Sequence, residues 1–225
     1  MATSSPIQEV KGPLRYDDFY FESVVFLVED NLFKVPRYGF EQSEVFQEMF
    51  TLPTPETTQP DGLTDTQPLH LAGILIKDFI PLLRVMYPIN PPTVPKLEKD
   101  EWVSVLKLAT MWEINSLRNL AIMELEDLTK KKDPAFRLML SRRYKVHQWF
   151  IPAASELVRR AAPIDYGEAE EIGFDVALKL AAIRERFLRV EGYNTRHLVP
   201  RGAIHYNYET TIQLDLSEEC ADILG

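Results

Sequence analysis

The run from Phe21 to Phe50, FESVVFLVEDNLFKVPRYGFEQSEVFQEMF, restricts the fold more than any other stretch. Val24, Phe26 and Val28 alternate with Val25 and Leu27, so a strand here is apolar on both faces and must be covered on both. Glu29-Asp30-Asn31 supplies a turn, and Leu32 to Val35 returns as a second strand with Phe33 and Val35 on one face. Pro36 has no amide hydrogen to extend a ladder, so the chain leaves the sheet there. Tyr38 and Phe40 mark a short helical turn. Ser43 is placed to cap a helix whose first turn carries Glu44, and Val45, Phe46, Met49 and Phe50 form one apolar stripe along it.

Pro53 and Pro55 end that helix, and the stretch from Thr51 to Gln67 is long for a loop inside a compact domain. Pro68-Leu69-His70-Leu71 reads as a third, short strand. Ile76, Phe79, Ile80, Leu83, Met86 and Tyr87 then recur at helical spacing and predict a buried amphipathic helix. Pro81 fits that helix if Lys77 or Asp78 is the N-cap, because a first-turn proline removes an amide with no intrahelical partner. Two further patterns, Asp100 to Trp112 and Asn115 to Leu128, predict a helical hairpin. The fold class expected is α+β, a small sheet with helices clustered against it, followed by an all-helical extension.

In this order and spacing, the hairpin, Phe33-Lys34-Val35-Pro36-Arg37 and Ser43-Glu44-Val45-Phe46-Gln47-Glu48-Met49-Phe50 resemble the BTB/POZ signature. That signature runs as a hairpin, then F-x-A/V-x-R, then S-x-x-F-x-x-M-F. Further on, Val105 to Ile114, Leu117-Arg118 and Leu125 are similar to the pattern that closes a BTB domain, with Ala121 where cysteine is usual. The resemblance implies a BTB/POZ domain over residues 16–129. The short helical patterns over 130–189 loosely resemble the BACK-type region that often follows it. The overall wording looks most like BTB proteins of filamentous and mushroom-forming fungi.

Residues 1–15 have little periodicity and read as a flexible lead-in. Lys130-Lys131-Lys132-Asp133-Pro134 is a charged break with a proline suited to the first position of a helix, and the domain boundary is placed there. Over residues 190–225 periodicity fades, lysine and arginine stop at Arg201, and acidic residues accumulate from Glu209, which reads as an irregular acidic tail.

The net charge of −9 leaves no general excess of cations to displace counterions from phosphates, so direct nucleic-acid binding is not expected. One cysteine, Cys220, excludes an internal disulfide framework, and no secretory leader or run of apolar residues long enough to span a bilayer appears. The compartment expected is cytoplasmic or nuclear. No phosphate loop, dinucleotide fingerprint, zinc-protease motif or nucleophile elbow is present. His70, His147, His197 and His205 are scattered, and no familiar zinc spacing can be written with them. No cofactor, metal or catalytic residue is assigned, and the chain is not expected to be an enzyme; an enzyme with an unrecognised site is the alternative of another class. The basic groups Lys130 to Lys132, Arg142-Arg143, Arg159-Arg160 and Arg184 to Arg189 read as solvated helix faces. Trp102, Trp112 and Trp149 read as core residues first.

The function implied by the resemblance is protein–protein interaction: the chain self-associates, as a homodimer or larger assembly, and recruits partner proteins as a scaffold. Two mechanisms stand side by side, an adaptor for a cullin-type ubiquitin ligase and a nuclear oligomerisation or corepressor-binding module. The crowded aromatics from Tyr16 to Phe21 either pack under the first strand or face a second subunit. Tyr20, Phe21, Tyr38, Phe40 and Phe46 are the candidates for a self-association surface. Ile76 and Asp78, an apolar residue followed two places later by an acidic one, are the candidates for a cullin contact. Arg37 matches a basic residue that, in the transcription-factor branch of the family, shares a charged pocket with an acid of the first strand. Here that strand position is Ser23, with Glu22 beside it.

Overall fold

The computed structural model describes residues 14–51, 61–89, 95–129, 133–196, 208–217 and 221. Among them the chain is mixed α+β, mostly helical, with one three-stranded sheet. Strand β1 (Ser23–Val28) lies in the middle, antiparallel to β2 (Asn31–Pro36) and parallel to β3 (Leu69–His70). Val24, Val25, Phe26 and Val28 are buried, as an apolar central strand requires. Gly62 makes this packing possible beside β1. Its carbonyl accepts from the Val25 amide at 2.7 Å, its φ is +86°, and a Cβ there would meet Val24 Cγ2 at 3.0 Å.

After β2 a 3₁₀ turn (Arg37–Gln42) leads into α1 (Glu44–Thr51). The Ser43 hydroxyl accepts from the Phe46 amide at 3.3 Å, so the expected N-cap is present. Phe46 is buried, whereas Val45 is 40% exposed and does not belong to the apolar stripe. Helix α2 (Ile76–Met86) starts earlier than expected, with Leu75 at the N-cap in place of Lys77 or Asp78. Pro81 is therefore in the second turn and withholds a donor from the carbonyl of Lys77. The start is held from a distance: Glu29, at φ +50° in the hairpin turn, accepts from the Ile76 amide at 3.1 Å.

Helices α3 (Lys99–Met111) and α4 (Asn115–Thr129) form the expected hairpin. Glu98 and Glu101 make a reciprocal capping box at the start of α3. The first core gathers here. Phe26 meets Phe40, Phe46 and Phe79 at ring separations of 4.7, 5.9 and 5.8 Å, and Trp112 closes on the last three at 6.1, 5.2 and 6.1 Å.

Helix α5 (Pro134–Arg143) begins with Pro134 in its first turn and Asp133 as its N-cap, the Asp133 carboxylate accepting from the Phe136 amide at 3.1 Å. Helices α6 (His147–Arg159), α7 (Tyr166–Ile172), α8 (Phe174–Arg196) and α9 (Tyr208–Asp215) follow. A second core forms from Leu138, Phe150, Leu157, Val176, Leu180 and Ile183 with their neighbours. The two cores share α5 and α6, since Leu140 and Trp149 pack into the first and Leu138, Phe150 and Ala153 into the second.

The segment expected to be an irregular tail is in part helical. Helix α8 passes residue 190 without a break, and α9 carries Ile212 and, just past its end, Leu216 into the second core, both fully buried. The charged pattern had hidden this, because two apolar residues carry the packing. The lead-in over 1–13, Lys130 to Lys132, His197, His205 and Cys220 lie outside the described residues. Several arginines read as solvated are main-chain clamps: Arg142 donates to the Ile172 carbonyl, and Arg184 donates to the carbonyls of Ala161 and Ala162 at 2.6 Å each. Trp102, Trp112 and Trp149 are all buried, in keeping with the core assignment.

Phe79 touches four other rings of the cluster and is fully buried. Phe79→Ala is expected to lower the unfolding free energy by about 3–5 kcal/mol, read by chemical denaturation. A loss below about 1 kcal/mol would mean that the ring does not hold the first core together.

Candidate interaction surface

The segment before β1 carries large side chains that no core absorbs. A 3₁₀ turn (Asp17–Phe19) buries none of its residues, and Tyr16, Phe19, Tyr20 and Phe21 are 70%, 78%, 55% and 57% exposed. Of the two expectations for these aromatics, packing under the first strand is not what the chain does. Tyr16 and Phe19 pair with each other, Tyr20 with Arg15, and Phe21 with a residue that follows β2 instead. Tyr16 and Phe19 lie 6.0 Å apart, Arg15 stands 4.5 Å over the Tyr20 ring, and Phe21 meets Tyr38 at 5.2 Å.

Tyr38 continues the row to Tyr87, edge to face at 5.7 Å. The Tyr87 hydroxyl donates to the Pro36 carbonyl at 2.5 Å, tying the end of α2 to the end of β2. Burial, and then the neighbouring Tyr38, raise the pKa of that hydroxyl above its ordinary value, so it stays a donor at any physiological pH. Gly39 leaves the space this needs, because a Cβ there would collide with the Tyr87 hydroxyl and the Met86 side chain. The Tyr38 ring is thereby fixed while 46% of the residue stays exposed.

Arg37 is committed at the edge of this row. Its main-chain amide donates to the Glu22 carbonyl at 2.8 Å, and its Nη1 meets Glu22 Oε2 at 3.4 Å. Its Nε lies 2.9 Å from Glu41 Oε1, but off the N–H direction, so that contact is an ion pair without a hydrogen bond. The guanidinium also covers the Phe50 ring at 4.3 Å. The acids that Arg37 meets are Glu22 and Glu41. Pairs exposed to this degree contribute little to stability, and their effect is to orient Arg37.

Two candidates are corrected by burial. Phe40 and Phe46 are 0% exposed within the ring cluster, so neither can contribute to a surface. Their spacing after the hairpin fits a core residue and a contact residue equally, which is why sequence could not separate the roles. Of the cullin candidates, Asp78 is corrected too. Asp78 is 5% exposed, and its carboxylate accepts from Lys107 Nζ at 2.6 Å and the Ser104 hydroxyl at 2.7 Å. Ile76 is half-buried against the first core. The pair fastens α2 to α3, and the Asp78 carboxylate is spent on that joint. Sequence reasoning missed Lys107 and Ser104, and their spacing of three on one face of α3 was the available signal.

Among the described residues no three His, Cys, Asp or Glu side chains gather as a metal site, and no helix is long and apolar enough to cross a membrane. The exposed aromatics have charges at their margin, from Arg15 and the Arg37–Glu22 pair. No protein-family model matches the sequence, and a search of curated proteins finds no significant match.

Burial would raise the Asp78 carboxyl, but the hydrogen bonds from Lys107 and Ser104 and the Lys107 charge outweigh it and hold the pKa below the ordinary carboxylate range. A depressed carboxylate stabilises the fold at neutral pH, and that contribution is lost as pH falls below about 4. Asp78→Asn is expected to cost about 1–3 kcal/mol at pH 7 and to narrow the gap to wild type as the pH is lowered to 3. Denaturation at a series of pH values reads both effects, and a gap independent of pH would remove the ion pair from the account.

Proposed function

We propose that this chain is a protein–protein interaction module of the BTB/POZ type, which self-associates through its aromatic segment and recruits other proteins. The observation that carries the reading is the exposed run Tyr16, Phe19, Tyr20 and Phe21 continued by Tyr38. Exposed aromatic side chains gathered in one short segment are rarely left to water in a monomer, because each ring buried against a second molecule removes a large apolar surface from solvent. The order hairpin, helix, short strand, helix and helical hairpin, expected from periodicity over the residues that carry the resemblance, is compatible with the BTB/POZ assignment. In this reading the protein works in the cytosol or nucleus and binds rather than catalyses, without a cofactor.

Light scattering across a dilution series is the test. A particle of twice the chain mass or more is expected at high micromolar concentration, falling to one chain on dilution. The double change Phe19→Glu and Tyr20→Glu is expected to give one chain throughout with an unchanged melting temperature, because both side chains are outside the cores. A wild-type protein that stays a monomer at high micromolar concentration would overturn the self-association reading.

A further inference from the structure

A second surface lies between β2 and α2. The sheet order β2-β1-β3 puts β2 at an edge. Val28 pairs with Asn31 around a two-residue turn, and the alternation of an antiparallel ladder from that pair puts the cross-strand bonds on Asn31, Phe33 and Val35. Other bonds agree with this phase. Arg37 donates to the Glu22 carbonyl at 2.8 Å, continuing the series, while Val25 and Leu27 use their main-chain groups on the opposite side, with Gly62 and Leu71. Leu32 and Lys34 stand opposite Leu27 and Val25, so their amides and carbonyls point outward from the sheet. Among the described residues no strand pairs with them there. Pro36, next along the edge, has no amide hydrogen and its carbonyl is taken by Tyr87.

Beside this edge runs an open groove of about 630 Å³, lined by Phe33 and Val35 from β2 and by Ile80, Leu83 and Tyr87 from α2. Arg84 and Lys96 line it as well, and among the described residues no carboxylate does, in a chain whose net charge is −9. Glu101 holds Arg84 Nη1 at 3.1 Å and offsets part of that charge, which leaves Lys96 and the exposed edge residue Lys34 as the clearer attractors.

We infer that this edge and groove accept an extended acidic segment of another protein as an added strand. Outward amides and carbonyls at Leu32 and Lys34 supply main-chain bonds, and a strand lying on them places every second side chain against the apolar groove. A helix cannot use the edge groups. Lys34 is on the face opposite Phe33 and Val35 and favours carboxylates at the positions that point away from the groove, Lys96 favours one beside the groove wall, and a lysine on each edge opposes edge-to-edge pairing with a second copy. The site adjoins the proposed self-association surface at Tyr87, which lines the groove and meets Tyr38, and does not depend on it.

The test pans a phage-displayed library of random dodecapeptides against the full chain, then measures the selected peptides by fluorescence anisotropy and amide hydrogen exchange. Selected peptides are expected to alternate apolar residues with Asp or Glu and to protect the amides of Leu32 and Lys34. Lys34→Pro removes an outward amide and a cation without touching the β1–β2 ladder and is expected to weaken binding about tenfold or more. Lys96→Glu, on the groove wall, is expected to weaken acidic peptides selectively, and it carries the test alone if Lys34→Pro lowers the melting temperature. No enrichment, binding indifferent to Lys96→Glu, or protection at other amides would overturn the inference. So would protection of Leu32 and Lys34 that grows with protein concentration alone, which would assign the edge to a second copy.

Discussion

Five rings decide the architecture of the first core. Phe26 comes from β1, Phe40 from the 3₁₀ turn, Phe46 from α1, Phe79 from α2 and Trp112 from the end of α3, so one contact set joins the central strand to the helices around it. Tilted and edge-to-face pairs of this kind add about 0.5–1.5 kcal/mol each beyond area burial. The sheet is too small to be stable alone, with β3 only two residues long. It persists because helices cover Phe26, and the helices keep their order because each contributes a ring.

The second core depends on the first through shared helices. Trp149 packs into the first core and Phe150, the next residue, into the second, so α6 cannot pack in one without being placed in the other. Asp133 and Pro134 start α5 where the sequence marks a break, yet the boundary at 129/130 is a change of local pattern and not a gap between independent cores. The Arg160–Glu168 ion pair, with Glu168 also in the capping box of α7, and the Arg184 clamp on Ala161 and Ala162 close the turn between α6 and α7. Charge in this region shapes the path of the chain.

Much of this was legible in the sequence for simple reasons. The strand over residues 24–28 is apolar on both faces, Ser43 precedes a helix stripe, and Pro134 follows Asp133, and each of these is a local rule that tertiary packing obeyed. What was not legible depends on distance in the chain. Glu29 supports a helix that begins 47 residues later, and Lys107 takes Asp78 out of reach across α2 and α3. The packing of the α9 segment rests on Ile212 and Leu216, too few residues for a period to show. Exposure was the hardest property of all, because Phe21 and Phe26 are the same residue type on one short stretch and end on opposite sides of the fold's boundary with water.

That division of the aromatics is the centre of the account: one set closes the monomer, and the other is left for a second molecule. Fluorine resonances of a chain labelled with fluorophenylalanine, followed with a soluble paramagnetic agent over a concentration series, report it ring by ring. Phe26, Phe40, Phe46 and Phe79 are expected to be shielded at every concentration, and Phe19 and Phe21 to be broadened when dilute and shielded when concentrated. Shielding of Phe19 and Phe21 in the dilute monomer, or their exposure at every concentration, would contradict the account.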